Sequence, residues 1–210
     1  VTVGLTGLFD GLPSGATPAG SLTGVPAGRR ITAAGLLRAS AMWTHIDVMD
    51  VPFAGRTGVP VHEIAALVAV SHRVDVHLMV ERPDDMLSAV AAGGPDRITV
   101  HLERLADPAG TAKTIRELGP SPWLAVSPET SPVEVEAVAR HFDGVLVMLL
   151  TPGSTGSART GRLHIAARLC GLGHVGVDGG VDATNLPDVL DAGVGYVVAG
   201  RALIRVAATD

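Results

Sequence analysis

Short apolar runs alternate with amphipathic stretches along almost the whole chain. The apolar runs are Val1–Leu5, Trp43–Met49, Val74–Val80, Arg97–His101, Trp123–Ser127, Gly144–Leu150, His174–Asp178 and Tyr196–Ala199. They are nearly continuous in apolar residues, which is the pattern of strands buried on both faces of a parallel sheet. The stretches between them predict helices over Val61–Val70, Pro83–Ala92, Pro108–Leu118, Pro132–His141, Leu163–Leu172 and Ala183–Ala192. Two of these open on a proline with acidic residues behind it, Pro83-Asp84-Asp85 and Pro132-Val133-Glu134, a first-turn signature. About eight strand–helix units in 210 residues predict an α/β fold, a TIM (β/α)₈ barrel formed as a single domain over residues 1–210. A doubly wound open sheet shares the alternation but accounts less well for the polar residues described below.

Two places break the rhythm. Residues 6–30 are rich in Gly, Pro and Ser and read as one long βα loop between the first strand and the first helix. Loops of that length are usually functional or disordered; on a barrel this one would lie at the catalytic rim, where it reads equally as a lid or as plain flexible chain. After the last strand only Ala202–Asp210 remain, so the final helix is expected to be truncated, leaving that side open to a partner subunit or to the long loop.

Composition narrows the partners. Hydrophobic residues are 47% of the chain, enough for a substantial core. No apolar stretch approaches the roughly 18 residues of a membrane span, and the N-terminal residues lack a signal-peptide pattern. A cytoplasmic protein without a membrane partner is expected. Sixteen basic residues against 21 acidic, with 3% aromatics, argue against nucleic acid as the partner. Cys170 is the single cysteine and is expected to be a small buried apolar side chain. Lys113 is the only lysine and lies in a helix-like stretch, which argues against Schiff-base chemistry at a barrel lysine.

The candidate chemistry lies at strand ends. In His45-Ile46-Asp47-Val48-Met49-Asp50 the period of two puts His45 and Asp47 on one side of a strand. Asp75-Val76-His77-Leu78-Met79-Val80 places a second histidine in an apolar strand, and Asp178 closes a third run before Gly179-Gly180-Val181. A lone histidine on an apolar face is more often a satisfied core residue than a ligand. These are not alone: each sits near the C-terminal end of its strand, the rim that bears barrel chemistry. A buried carboxylate is costly unless charge-paired or metal-bound. Two imidazoles and two carboxylates make a sound set of donors for a divalent metal ion (Zn, Fe, Mn or Co).

Glycine clusters close the last three strand units: Thr151-Pro152-Gly153-Ser154-Thr155-Gly156-Ser157, Asp178-Gly179-Gly180-Val181 and Ala199-Gly200-Arg201. Ordinary turn glycine is the plain reading in a chain with 26 of them. Their succession on three late units instead favours a phosphate site, since barrels bind phosphate at the loops after the last strands.

Taken in order, His45–Asp50, Asp75–Val80, Ile98-Thr99-Val100-His101-Leu102-Glu103, Val145–Met148 with Pro152-Gly153, Val177–Val181 and Val198-Ala199-Gly200 resemble the ribulose-phosphate 3-epimerases over nearly the whole chain. The resemblance implies that His45, Asp47, His77 and Asp178 ligate a divalent metal, with Asp47 and Asp178 also the paired acid/base catalysts. It implies that Met49, Met79 and Met148 line the substrate pocket, and that Gly153, Ser154, Thr155, Gly156, Gly179, Gly180 and Gly200 lie on phosphate-contacting loops. The implied reaction inverts C3 of a ketose phosphate, D-ribulose 5-phosphate to D-xylulose 5-phosphate or a related keto-sugar phosphate, through a cis-enediolate. A homo-oligomer is expected.

The chain departs from the family pattern at several positions. The first strand region, Val3-Gly4-Leu5-Thr6-Gly7, lacks the family's serine. Val51-Pro52-Phe53-Ala54-Gly55 replaces Gly-aromatic-Val-Pro-Asn, and Gly153–Ser157 replaces Gly-aromatic-Gly-Gly-Gln. Arg201 stands where a serine usually contacts phosphate. The reading is a divergent epimerase, with Arg201 as a phosphate contact or else a surface residue paired to a carboxylate. Two alternatives stand beside it. A lyase or decarboxylase of the related phosphate-binding barrels lacks its Asp-x-Lys-x-x-Asp array here, and a non-catalytic or re-purposed sugar-phosphate-binding homologue would not need every metal and acid/base residue retained.

Overall fold

A computed structural model describes residues 1–171 and 173–208. In chain order its strands and α-helices are β1 (Thr2–Leu5), β2 (Thr17–Ser21), α1 (Arg30–Ala39), β3 (Trp43–Met49), α2 (Val51–Ala54), α3 (Ile64–Val70), β4 (Val74–Met79), α4 (Leu87–Ala91), β5 (Arg97–His101), α5 (Pro108–Glu117), β6 (Ser121–Val126), α6 (Pro132–Val138), β7 (Gly144–Met148), α7 (Leu163–Cys170), β8 (His174–Asp178), α8 (Leu186–Asp191), β9 (Tyr196–Ala199) and β10 (Ile204–Ala207). Strands β2 to β9 pair in parallel in sequence order, and β2 closes against β9, giving an eight-stranded barrel in a single domain. The TIM barrel expected from the alternation is the fold. No helix among the described residues is long and apolar enough to cross a membrane.

The beginning of the barrel differs from expectation. Val1–Leu5 does contain a strand, but β1 pairs antiparallel with β10 outside the barrel, with Thr2 opposite Ala207 and Leu5 opposite Ile204. The first barrel strand is Thr17–Ser21, so residues 6–30 are not one βα loop. Its sequence, Thr-Pro-Ala-Gly-Ser, reads as a turn because Pro18 and Gly20 lower strand propensity. Gly20 has a packing reason: a Cβ there would lie 2.4 Å from a methyl of Leu37, so α1 rests directly on the strand backbone. Leu37 is fully buried, and its truncation to Ala would cost about 2–5 kcal/mol. In place of the expected truncated helix, the residues after β9 form β10. The helix expected to reach Leu172 runs to Cys170, and Leu172 itself lies outside the described residues.

Proline starts hold well. Asp107 caps α5 ahead of Pro108, accepting from the Gly110 N–H at 3.0 Å, and Ser131 with Glu134 forms a capping box around Pro132. The Pro83 segment begins as a 3₁₀ turn over Pro83–Met86 before becoming α4.

The core has two layers. Outward strand residues such as Ile46, Val76, Ile98, Leu124 and Val177 pack against the helices, while Ala19, Trp123, Ala125, Leu146, Met148, Tyr196 and Val198 fill the barrel interior. On β3 the inward set is Trp43, His45, Asp47 and Met49, so alternation alone stacks polar groups above an aromatic floor.

Candidate active site and metal centre

Strand register brings the polar residues together. Asp47 is the partner of His77 across β3 and β4, Met49 that of Met79, and Met148 that of Asp178 across β7 and β8. One ligand atom each of His45, Asp47, His77 and Asp178 lies within 4.8 Å of the other three. His45 Nε2 and His77 Nδ1 stand 3.1 and 3.3 Å from Asp47 Oδ1, and each is 3.8 Å from Asp178 Oδ2. Both imidazoles are fully buried.

The far nitrogens set the tautomers. His45 Nδ1 donates to Asp75 Oδ2 at 3.1 Å, which leaves the lone pair of Nε2 facing the cluster. His77 Nε2 is 2.9 Å from His101 Nε2, and His101 Nδ1 is 3.1 Å from Glu103 Oε2. Burial, outweighing the pull of Glu103, lowers His101 to about 4, so it is neutral at pH 7. A neutral His101 that donates from Nδ1 to Glu103 accepts from His77 Nε2, and the lone pair of His77 Nδ1 then joins that of His45. Glu103 is itself fixed: burial would raise it, but His101, Thr130 and the Ser127 N–H lower it to about 2.

Two ring nitrogens therefore meet two carboxylates, an arrangement that repels itself unless a proton or a metal cation stands between them. His77 Nδ1 is buried with no hydrogen-bond partner. The donor set of two imidazole nitrogens and two carboxylates fits a divalent transition ion. Electrostatics points the same way. Burial disfavours a charged His45, yet Asp47 and Asp75 outweigh it and hold its pKa well above the ordinary histidine range. The cluster demands positive charge.

Its two carboxylates are not equivalent. Burial works against ionised Asp47, but His45 and His77 hold its pKa well below the usual carboxylate range. Asp47 Oδ2 also accepts from Ser21 Oγ at 2.7 Å and from Thr23 Oγ1. Asp178 is pushed up to about 7 by burial, with Asp47 and Asp75 adding to it against the pull of His45. Before an ion binds, one carboxylate is held charged and the other titrates near neutrality.

Above the cluster opens a cleft of about 420 Å³. Every residue read as substrate-binding lines it: Met49, Met79 and Met148 near the base, then Gly153, Ser154, Thr155, Gly156, Gly179, Gly180, Gly200 and Arg201. Gly179 and Gly180 take φ of +111° and +70°, and a Cβ on them would strike Leu150 N at 2.8 Å and Ala158 N at 2.5 Å. These glycines press the loop after β8 against the loop after β7. The Arg201 side chain lies over Gly24 and is exposed, with no hydrogen bond or ion pair among the described residues.

Among the cleft residues that sequence reasoning missed are Ser21, Thr23 and Arg56. The serine sought in Val3–Gly7 stands instead as Ser21, at the C-terminal end of the first barrel strand. Thr23 follows it. Their signal is masked because the Gly, Pro and Ser of residues 6–30 predict a loop. The third, Arg56, comes from the loop after α2.

The fold resembles solved barrels of other activities. The tryptophan synthase A-subunit of Pyrococcus furiosus matches with a TM-score of 0.67 and 16% identity, over 90% of this chain and 88% of that one. N-(5'-phosphoribosyl)anthranilate isomerase of the same organism matches with a TM-score of 0.62, 16% identity and coverage of 89% and 88%. These likenesses concern the fold. Sequence relatives are more specific. The ribulose-phosphate 3-epimerase of Mycobacterium leprae is 34% identical over 185 residues, 83% of this chain and 82% of the relative. That of Treponema pallidum is 33% identical over 175 residues, 77% and 78% of the two chains. The model of the ribulose-phosphate 3 epimerase family matches residues 25–204. With a barrel of that order and relatives aligned over most of its length, the chain belongs to the ribulose-phosphate 3-epimerase family of isomerases.

Proposed function

We propose that this epimerase of a pentose phosphate inverts C3 of D-ribulose 5-phosphate, D-xylulose 5-phosphate or a related ketose phosphate by proton transfer between Asp47 and Asp178. The observation that carries the reading is the pair of carboxylates, Asp47 and Asp178, brought together with two buried imidazoles at the base of one cleft. Ionised, either carboxylate accepts a proton from C3, and its partner, once protonated, returns one. If one removes the C3 proton from one face and the other returns a proton to the opposite face, the centre inverts without redox change.

His45, Asp47, His77 and Asp178 would hold the divalent ion. When bound, it supplies Lewis-acid stabilisation of the negative charge that develops on the substrate oxygens as C3 loses its proton. Met49, Met79 and Met148 wall the reacting centre with side chains that donate no proton, which keeps the two aspartates as its proton sources. Ser21 and Thr23 fix the second oxygen of Asp47. The phosphate end lies toward the loops after β7, β8 and β9, with Arg201 at the mouth.

Solvent-deuterium incorporation at C3, followed over a panel of ketose phosphates, tests the reading. Exchange at C3 with appearance of the C3 epimer is the expected result. Absence of exchange in every pentulose and hexulose phosphate, with metal supplied, would sink it.

A further inference from the structure

Both tryptophans and the only tyrosine of this chain surround one buried cation. The Arg97 guanidinium carbon lies 3.6 Å from the ring centre of Trp123, 4.4 Å from that of Trp43 and 4.5 Å from that of Tyr196. Arg97 is 8% exposed and points into the barrel floor from the start of β5. Gly144 makes room for the Trp123 ring and Gly176 for Tyr196: a Cβ at either would lie within 3.0 Å of the aromatic residue. The cage is therefore built into four strands, with the guanidinium held among three rings.

As a stability device this is a poor choice. Arg97 Nε and Nη1 are buried without hydrogen-bond partners, and unpaired buried polar groups cost free energy. An apolar side chain of similar length would fill the same space among three rings without that cost. What the charge does is specific. Arg97 Nη1 stands 3.8 Å from Asp75 Oδ2, and Asp75 is fully buried. That same oxygen accepts from His45 Nδ1 at 3.1 Å and from the Tyr196 hydroxyl at 3.2 Å, while Asp75 Oδ1 accepts from Thr99 at 2.7 Å. His45 in turn faces the metal cluster through Nε2.

We infer that Arg97 is a positioning residue for His45, acting through Asp75. Its charge keeps Asp75 an acceptor on both oxygens, which holds the His45 proton on Nδ1 and its lone pair toward the cluster. Charge counting agrees. Asp47, Asp75 and Asp178 carry three negative charges when ionised, Arg97 offsets one, and a divalent ion offsets the other two. Without Arg97, the three carboxylates and the ion are left one negative charge in excess. The inference rests on the metal centre proposed above.

The test measures Mn²⁺ and Zn²⁺ affinity by competition with a chromophoric chelator, and the His45 ring tautomer by ¹⁵N NMR of the zinc-loaded protein. The variants are Arg97→Met, Arg97→Lys and Asp75→Asn. Loss of an outer partner of a metal-bound histidine typically weakens metal affinity about 10- to 100-fold. Arg97→Met is expected to show that loss together with mixed His45 tautomers. Arg97→Lys, which restores charge without the flat stacking surface, is expected to recover most of the affinity even if its thermal stability is lower. A purely structural Arg97 would lower stability in both variants and leave affinity and tautomer unchanged. Should Arg97→Met fail to fold, Asp75→Asn decides: a loss in the same range upholds the chain from Arg97 to His45, and wild-type affinity with a pure Nδ1–H tautomer overturns it. Wild-type protein that binds neither ion overturns the metal centre itself, whereas wild-type binding retained in the variants overturns only the role of Arg97.

Discussion

Ser21 Oγ donates a 2.7 Å hydrogen bond to Asp47 Oδ2, the oxygen opposite the one that meets both histidines. The aspartate is thus gripped on both sides, by imidazoles below and hydroxyls above. A hydrogen bond to a charged group is worth about 1.5–3 kcal/mol. Ser21→Ala should lower kcat/KM by roughly 10- to 150-fold, the same energy range, while the protein keeps its divalent ion. Steady-state kinetics with metal analysis checks this; full activity in the alanine variant would assign the orientation of Asp47 to Thr23 and the histidines alone.

The two aspartates should fail differently. Asp47→Asn and Asp178→Asn are each expected to reduce epimerisation by orders of magnitude, because inversion needs both faces served. Exchange of the C3 proton with solvent can survive in one of the two variants, since a single remaining base still exchanges on its own face. Near wild-type turnover in both variants would remove the two-base mechanism.

Metal content and pH are linked through Asp178. Purified protein should hold about one divalent ion per chain, and His77→Ala should lose it. Burial raises the Asp178 carboxyl from an ordinary 3.8 to about 7. A raised carboxyl pKa means that the folded chain holds this proton more tightly than the unfolded one. In chelated protein this group should therefore lower stability as pH rises through the window between those two values, and contribute nothing below it. An incoming ion must displace the same proton, so apparent affinity for Mn²⁺ should fall by about tenfold per unit of pH below 7 from this group alone. Metal titrations at several pH values decide the matter, and an affinity that stays flat through the acidic range would contradict it.

Arg201 lines the cleft mouth over Gly24 without an acidic partner among the described residues. That placement favours a substrate anion as its partner. Arg201→Ser should raise KM for a phosphorylated substrate roughly 10- to 150-fold, with a smaller effect on kcat. An unchanged KM would leave the anion to the loop backbones.

Most of the barrel was legible because buried parallel strands write themselves as apolar runs, and period two then places His45 with Asp47 and His77 with Met79 on inward faces. The start of the barrel was not legible. Thr17–Ser21 is written in turn residues because Gly20 answers to Leu37 on a helix, a contact distant in sequence. Val1–Leu5 carries the apolar pattern of a strand but spends it on β10. Ser21 was lost with its strand. Arg97 reads as a polar residue at a strand edge, and only barrel closure reveals that Trp43, Trp123 and Tyr196, from three other strands, converge on it.

The placement of those two indoles has a practical side. Since Trp43 and Trp123 both lie at the barrel floor, beneath the histidines and away from the cleft lining, the intrinsic fluorescence of this chain originates at the end of the barrel opposite substrate entry. Its emission is a gauge of barrel closure and of the charge lodged between the rings, and ligand occupancy of the cleft will have to be followed by another signal.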